Sequence, residues 1–266
     1  MNFGDLIKNF FTNKDYLPNA SEIPGTLFTP LHLAFAVAVL FAVIFFAFLL
    51  SKKSEKTVKN VFLIGWAFLT LWEIVKIIWE TYTAKGNAFE WGGVLPLYPC
   101  SIFMYAMPLV IWGRGKIRYM GCGYVCTLGL LGAAINFIYP ANVLSNYSCI
   151  SFAGFHTFFY HGFMLFCALT MIISGYHSYK EAHVWSDLLL PAVPALAVSV
   201  IANAVNFSKI GSDYMFFKLN SFFFAPIGAA THDAVSVIIV YAIYLIIHAA
   251  PYVPGFIANR RKNNIQ

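Results

Sequence analysis

The sequence predicts an all-α polytopic transmembrane bundle of about seven spans. Three observations carry that reading. Of 266 residues, 60% are apolar and only 11% charged, whereas soluble domains hold about a quarter charged residues. Mean hydropathy is +0.71. The apolar residues gather into seven runs, each close to the ~20 residues a membrane helix needs. Within lipid these runs must be helices, because strands would need closed barrel pairing and an alternation that the runs lack.

Taken in order, the runs are 31–51, 60–82, 93–113, 117–139, 152–174, 184–206 and 232–256. Residues 1–30 precede them and lack an ordinary signal-peptide pattern. Within that segment Phe3, Leu6, Ile7, Phe10 and Phe11 fall at helical spacing opposite Asp5, Lys8 and Asn9, which predicts a short interfacial helix. Residues 31–256 make one transmembrane domain, and 257–266 form a basic tail. The loops after runs 1, 3 and 5, with the tail, hold 11 Lys and Arg against 5 on the other side. Positive charge favours the cytoplasm, so the N-terminus is expected outside and the C-terminus inside, in a multi-pass protein of the cell membrane. The net charge of +6 is therefore an orientation signal, and no nucleic-acid partner is expected. The connection 207–231 is aromatic rather than polar, suited to a lid on the outer side. The five cysteines show no paired spacing, so neither a disulfide framework nor a zinc site is expected.

Polar residues within spans are costly unless they face protein or water. Run 2 carries Glu73 and Lys76, with Glu80 beyond. Cys100 lies early in run 3, within LPLYPC. Asn136 closes run 4, His156 and His161 lie in run 5, Asn203 and Asn206 close run 6, and His232 and Asp233 open run 7. At 1.5 Å per residue, Cys100 lies roughly 10 Å from its outer end, and Glu73 and His161 lie roughly 13 Å from theirs. Alternate spans run in opposite directions, so this shared depth is not forced by sequence position. It implies one polar cavity toward the outer leaflet. Pro96 and Pro99 remove backbone donors and disturb the first turns of run 3, placing the Cys100 thiol on a broken helix start. Glu73 and Lys76, three apart, also suit simple mutual neutralisation, and the asparagines suit interhelical bonding. His156 and His161 are five apart and point in different directions, so no metal site is expected, nor any cofactor. His177, His183 and His248 are given no chemistry.

Two stretches carry a family resemblance. LWEIVKIIWETYTAKGNAFEWGGVLPLYPCSIFMYAMPL resembles the YwaF-like bacterial integral membrane proteins, with their span-2 acidic residue followed by an LPLHLC-type motif. AINFIYPANVLSNYSCISFAGFHTFFYHGFML resembles the end of their span 4 and their FFxSHG-type span 5, and SDYMFFKL before the last span also fits. The resemblance covers about residues 30–250. Tyr98-Pro99 stands where that motif reads His-Leu, and Ser101 where Asp is common. The family is distantly similar to a transmembrane acyltransferase that builds ether phospholipids, and to the androgen-induced hydrolases of fatty acid esters. That resemblance implies Cys100 as nucleophile and His161 as base.

The leading expectation is thus a membrane-embedded lipid acyl hydrolase or acyltransferase, acting on a membrane lipid or acyl-chain substrate. Cys100 attacks an acyl carbonyl, and His161 takes the thiol proton. Asn136, Asn203 or His232 supplies an oxyanion donor. Glu73 orients His161 or the substrate, with Lys76, His156 and Asp233 in support. A transporter or small-molecule binding protein built on the Glu73–Lys76 pair is the alternative, and a non-catalytic scaffold the third. The oligomeric state is left open.

Overall fold

The computed structural model describes residues 3–86, 89, 94–208, 212–218 and 234–263. Among the described residues every regular element is helical. The short α1 (Phe3–Lys8) stands at the predicted interfacial segment. Six helices are long and apolar enough to cross a bilayer: α2 (Pro30–Ser51), α3 (Glu55–Thr83), α5 (Lys116–Ile138), α6 (Phe152–Ile173), α7 (Trp185–Ser208) and α8 (Val235–Lys262). Between α3 and α5 stands the shorter α4 (Ile102–Trp112). Large apolar side chains such as Phe41, Ile64, Ile78 and Val200 lie bare on the long helices, a surface suited to lipid rather than water. The chain is a multi-pass α-helical membrane protein.

Among the described residues six helices reach span length, and the run 93–113 stands as the shorter α4. The run 93–113 becomes helical only at Ile102, and 11 residues rise about 16 Å, roughly half the hydrocarbon core. The reason is local: Pro96 and Pro99 cannot donate to a helical ladder and push the residues before them out of helical space. Other boundaries sit close to the sequence reading, with two exceptions. α3 begins at Glu55, where Ser54 accepts from the Thr57 amide as an N-cap. Helix continues past residue 256 to Asn263, because Ala, Arg and Lys keep helix propensity after hydropathy has ended. Thr29 caps α2 in the same way, with Pro30 in its first turn.

The described chain divides into two compact units. The first comprises Met1–Glu90 and Leu131–Thr170. In it, residues 10–29 form a strap tied to the helix ends and to the loop before α6. The Phe152 amide donates to Phe10 O (2.9 Å) and the Cys149 amide to Gly25 O (2.7 Å). The Trp79 indole donates to Phe11 O (2.9 Å). Gly25 adopts φ +86°, and a side chain there would strike Ser148 and Cys149, so only glycine fits. Phe35, Phe137, Phe155 and Phe158 pack edge-on around the α2–α6 contact.

The second unit comprises Trp91–Leu130 and Met171–Gln266. Gly121 lets α5 press onto α4: a Cβ there would lie within 2.9 Å of Ala106 O, Leu109 Cβ and Val110 N. α5 contains a π turn at Val125–Gly129, whose Cys126 carbonyl accepts from the Tyr179 hydroxyl at 2.5 Å. In the loop between α6 and α7, His177 is buried with Nε2 2.6 Å from the Tyr252 hydroxyl, ringed by Tyr119 and Tyr179. Burial, aided by the nearby Arg118 guanidinium, holds its imidazole down to about 4 from an ordinary 6.5. The unfolded chain therefore binds this proton more readily than the folded one, and the associated stability is complete above 6.5 and declines as pH falls toward 4. Detergent-solubilised protein is expected to lose about 2 kcal/mol of stability between pH 6.5 and 5. Thermal melts across that range should flatten in His177→Asn; an equal slope in both proteins would refute the assignment.

Candidate functional site

The polar residues of the first unit meet where α3 passes α6. Glu73 (side chain 8% exposed) lies 3.6 Å from Lys76 Nζ. Its Oε2 lies 2.9 Å from His156 Nε2. Lys76 also reaches Glu80 at 3.8 Å. Helical spacing explains the three α3 residues, which share one face at i, i+3 and i+7. Trp72 packs edge-on against His156, centroids 5.5 Å apart, and shields the pair. The sequence offered Glu73 as a partner for His161; the structure instead sets Glu73 against His156.

His161 lies further along α6, buried, with Nδ1 2.8 Å from the Thr157 carbonyl. A carbonyl only accepts, so the hydrogen is on Nδ1 and the lone pair is on Nε2. Nε2 is therefore the basic nitrogen of the ring. That is the tautomer a general base needs, with its orientation fixed from behind.

In the second unit Cys100 sits on the non-helical segment that leads into α4. None of the five cysteines is in a disulfide, and Cys100 is the one that is not fully buried. Tyrosines surround its segment. The Tyr124 hydroxyl donates to the Pro99 carbonyl. The Leu95 amide donates to the Tyr214 hydroxyl at 3.0 Å, and Tyr98 packs on Tyr214 with centroids 5.0 Å apart. Cys100 lies within electrostatic range of the Tyr124 and Tyr244 hydroxyls. The Tyr244 hydroxyl donates to Met215 O at 2.7 Å.

The remaining sequence-predicted residues are scattered. Asn203 donates its amide to Ser199 O (3.0 Å) and to the Tyr241 hydroxyl (3.2 Å). Both of its amide hydrogens are thus committed, which leaves none for an oxyanion. Asn206 exchanges two bonds with the backbone of Tyr214, at 2.8 and 2.9 Å. Asn136 is half-buried near the end of α5. His232 and Asp233 lie outside the described residues, as does most of the expected lid.

Sequence reasoning passed over Tyr124, Thr127, Tyr214, Tyr244 and His248. Hydropathy counts tyrosine among apolar residues, so tyrosines in spans raise no flag. The available signal was spacing: Tyr241, Tyr244 and His248 fall at i, i+3 and i+7, one polar stripe along α8. No curated protein and no solved structure matches the chain. The TMEM164 family matches residues 27–258, most of the chain, and the chain belongs to this multi-span membrane family.

Proposed function

We propose that the protein is a membrane-embedded acyl hydrolase or acyltransferase, with Cys100 as nucleophile and His161 as base. The observation that carries this reading is the His161 tautomer: Nδ1–H is spent on the Thr157 carbonyl, which leaves Nε2 as the basic nitrogen. Cys100 supports it as the cysteine that is not fully buried, on the non-helical segment that carries two prolines. LPLYPC and FFYHG resemble the motifs of the YwaF-like membrane proteins, a family distantly similar to a transmembrane acyltransferase, which is in keeping with this reading. In the reaction, His161 Nε2 takes the thiol proton, and the thiolate attacks an acyl carbonyl. The leaving alcohol receives that proton, and a thioester remains. Water or a lysolipid hydroxyl, deprotonated by the same nitrogen, then releases the acyl group. We infer from the loop charges that this chemistry faces the outer leaflet.

The test is labelling by an acyl-directed electrophilic probe in detergent. Native protein is expected to label, Cys100→Ala to lose the label, and His161→Ala to slow it by about 100-fold or more, the usual worth of a general base. Equal labelling of all three would end the proposal.

A further inference from the structure

The second unit contains a buried histidine that the proposed chemistry leaves unused. His248 on α8 is fully buried, with Nδ1 2.5 Å from the Thr127 hydroxyl oxygen. Thr127 lies inside the π turn of α5 and gives its hydrogen to the Gly123 carbonyl at 2.7 Å. A hydroxyl has one hydrogen, so toward His248 it accepts, and His248 Nδ1 is the donor. The other ring nitrogen, Nε2, is sealed without a hydrogen-bond partner. A buried ring with one nitrogen unsatisfied is an expensive way to fill space, and leucine would fill it without that penalty. The imidazole is explained by what Nδ1 does.

What Nδ1 does is hold a π turn in place. Such turns inside α-helices are rare and concentrate at functional sites. One helical turn before Thr127, Tyr124 packs at a tilt against the His248 ring with centroids 5.4 Å apart, and its hydroxyl is bonded to the carbonyl of Pro99, the residue before Cys100. The chain of contacts therefore runs from His248 through Thr127 and Tyr124 to the backbone of the nucleophile. We propose that His248 and Thr127 are positioning residues, which set the π turn so that Tyr124 fixes the segment carrying the Cys100 thiol. The inference deepens the acyl-transfer reading and rests on it for its catalytic meaning, but the position of Cys100 is measurable without it.

The experiment follows two readouts on folded, detergent-solubilised protein: the rate at which Cys100 is alkylated by a maleimide, corrected with Cys100→Ala, and labelling by the acyl probe. Thr127→Val removes the acceptor without changing shape, and His248→Phe removes the donor. Each is expected to change Cys100 alkylation at least 5-fold and to lower probe labelling at least 10-fold. The double variant should do no more than either single one, since both break the same bond. His248→Asn keeps an N–H near the place of Nδ1 and is expected to recover most of both rates, which general packing damage would not allow. Should the Thr127 and His248 variants not fold, Tyr124→Phe removes only the hydroxyl on Pro99 and is expected to give the same change. Unaltered alkylation in folded Thr127→Val, or in Tyr124→Phe, overturns the inference. If Cys100→Ala still accepts the acyl probe, the acyl-transfer reading fails instead, while the alkylation result stands.

Discussion

Glu73→Ala is expected to lower the stability of the protein by about 3 kcal/mol, the lower part of the range for breaking a buried ion pair from one side. The carboxylate is almost wholly buried and stands between Lys76 at 3.6 Å and His156 at 2.9 Å. Alanine leaves the ammonium with Glu80 at 3.8 Å, a longer and weaker contact, and leaves His156 Nε2 facing an emptied site beside Trp72. The retained Glu80 is why the low end of the range applies. Glu73→Gln preserves volume and one acceptor oxygen, so it should cost about 1–2 kcal/mol, closer to a hydrogen bond with a charged group. Unfolding by SDS titration in mixed micelles, followed by tryptophan fluorescence, measures both. A loss below about 0.5 kcal/mol for Glu73→Ala would put the cluster in the class of exposed surface pairs and remove its claim to order α3 against α6.

Asn206→Leu is expected to have an effect of comparable size. Asn206 is 3% exposed, and its side chain serves the backbone N–H and C=O of Tyr214 at once. Leucine orphans two buried backbone groups, at about 1–3 kcal/mol each. The consequence travels, because Tyr214 also holds Leu95 by its hydroxyl and Tyr98 by ring contact. Both precede Cys100. Hydrogen exchange should therefore quicken at the amides of Tyr214 and Leu95 together, and Cys100 should become easier to alkylate. Asn203→Leu is the control: it cuts bonds to Ser199 and Tyr241 without touching the Tyr214 turn. If Asn203→Leu loosened Leu95 as much as Asn206→Leu, the specific coupling would be refuted.

These two asparagines show how far the sequence reached. Both were flagged as polar groups at the end of a span, and interhelical bonding was one reading of them. Only the coordinates separate Asn206, clamped on a backbone turn eight residues away, from Asn203, which bonds across to α8. The same holds for the histidines. His161 drew notice by its depth in a span, but its tautomer comes from a carbonyl one turn back. His248, set aside in the sequence, proves bonded to a threonine 121 positions earlier.

Hydropathy and proline chemistry by themselves determined that this chain crosses a membrane as helices, roughly where the crossings fall, and that the segment before α4 cannot begin as helix. Those properties are local: solvent transfer acts on each residue, and a missing N–H acts on its own turn. The tertiary structure alone decided the partners of the polar groups, the π turn in α5 and the tyrosine surroundings of Cys100. Each of these depends on which helix faces meet, and lipid, which solvates all apolar faces alike, leaves that choice to side-chain packing and hydrogen bonds between residues far apart in the chain.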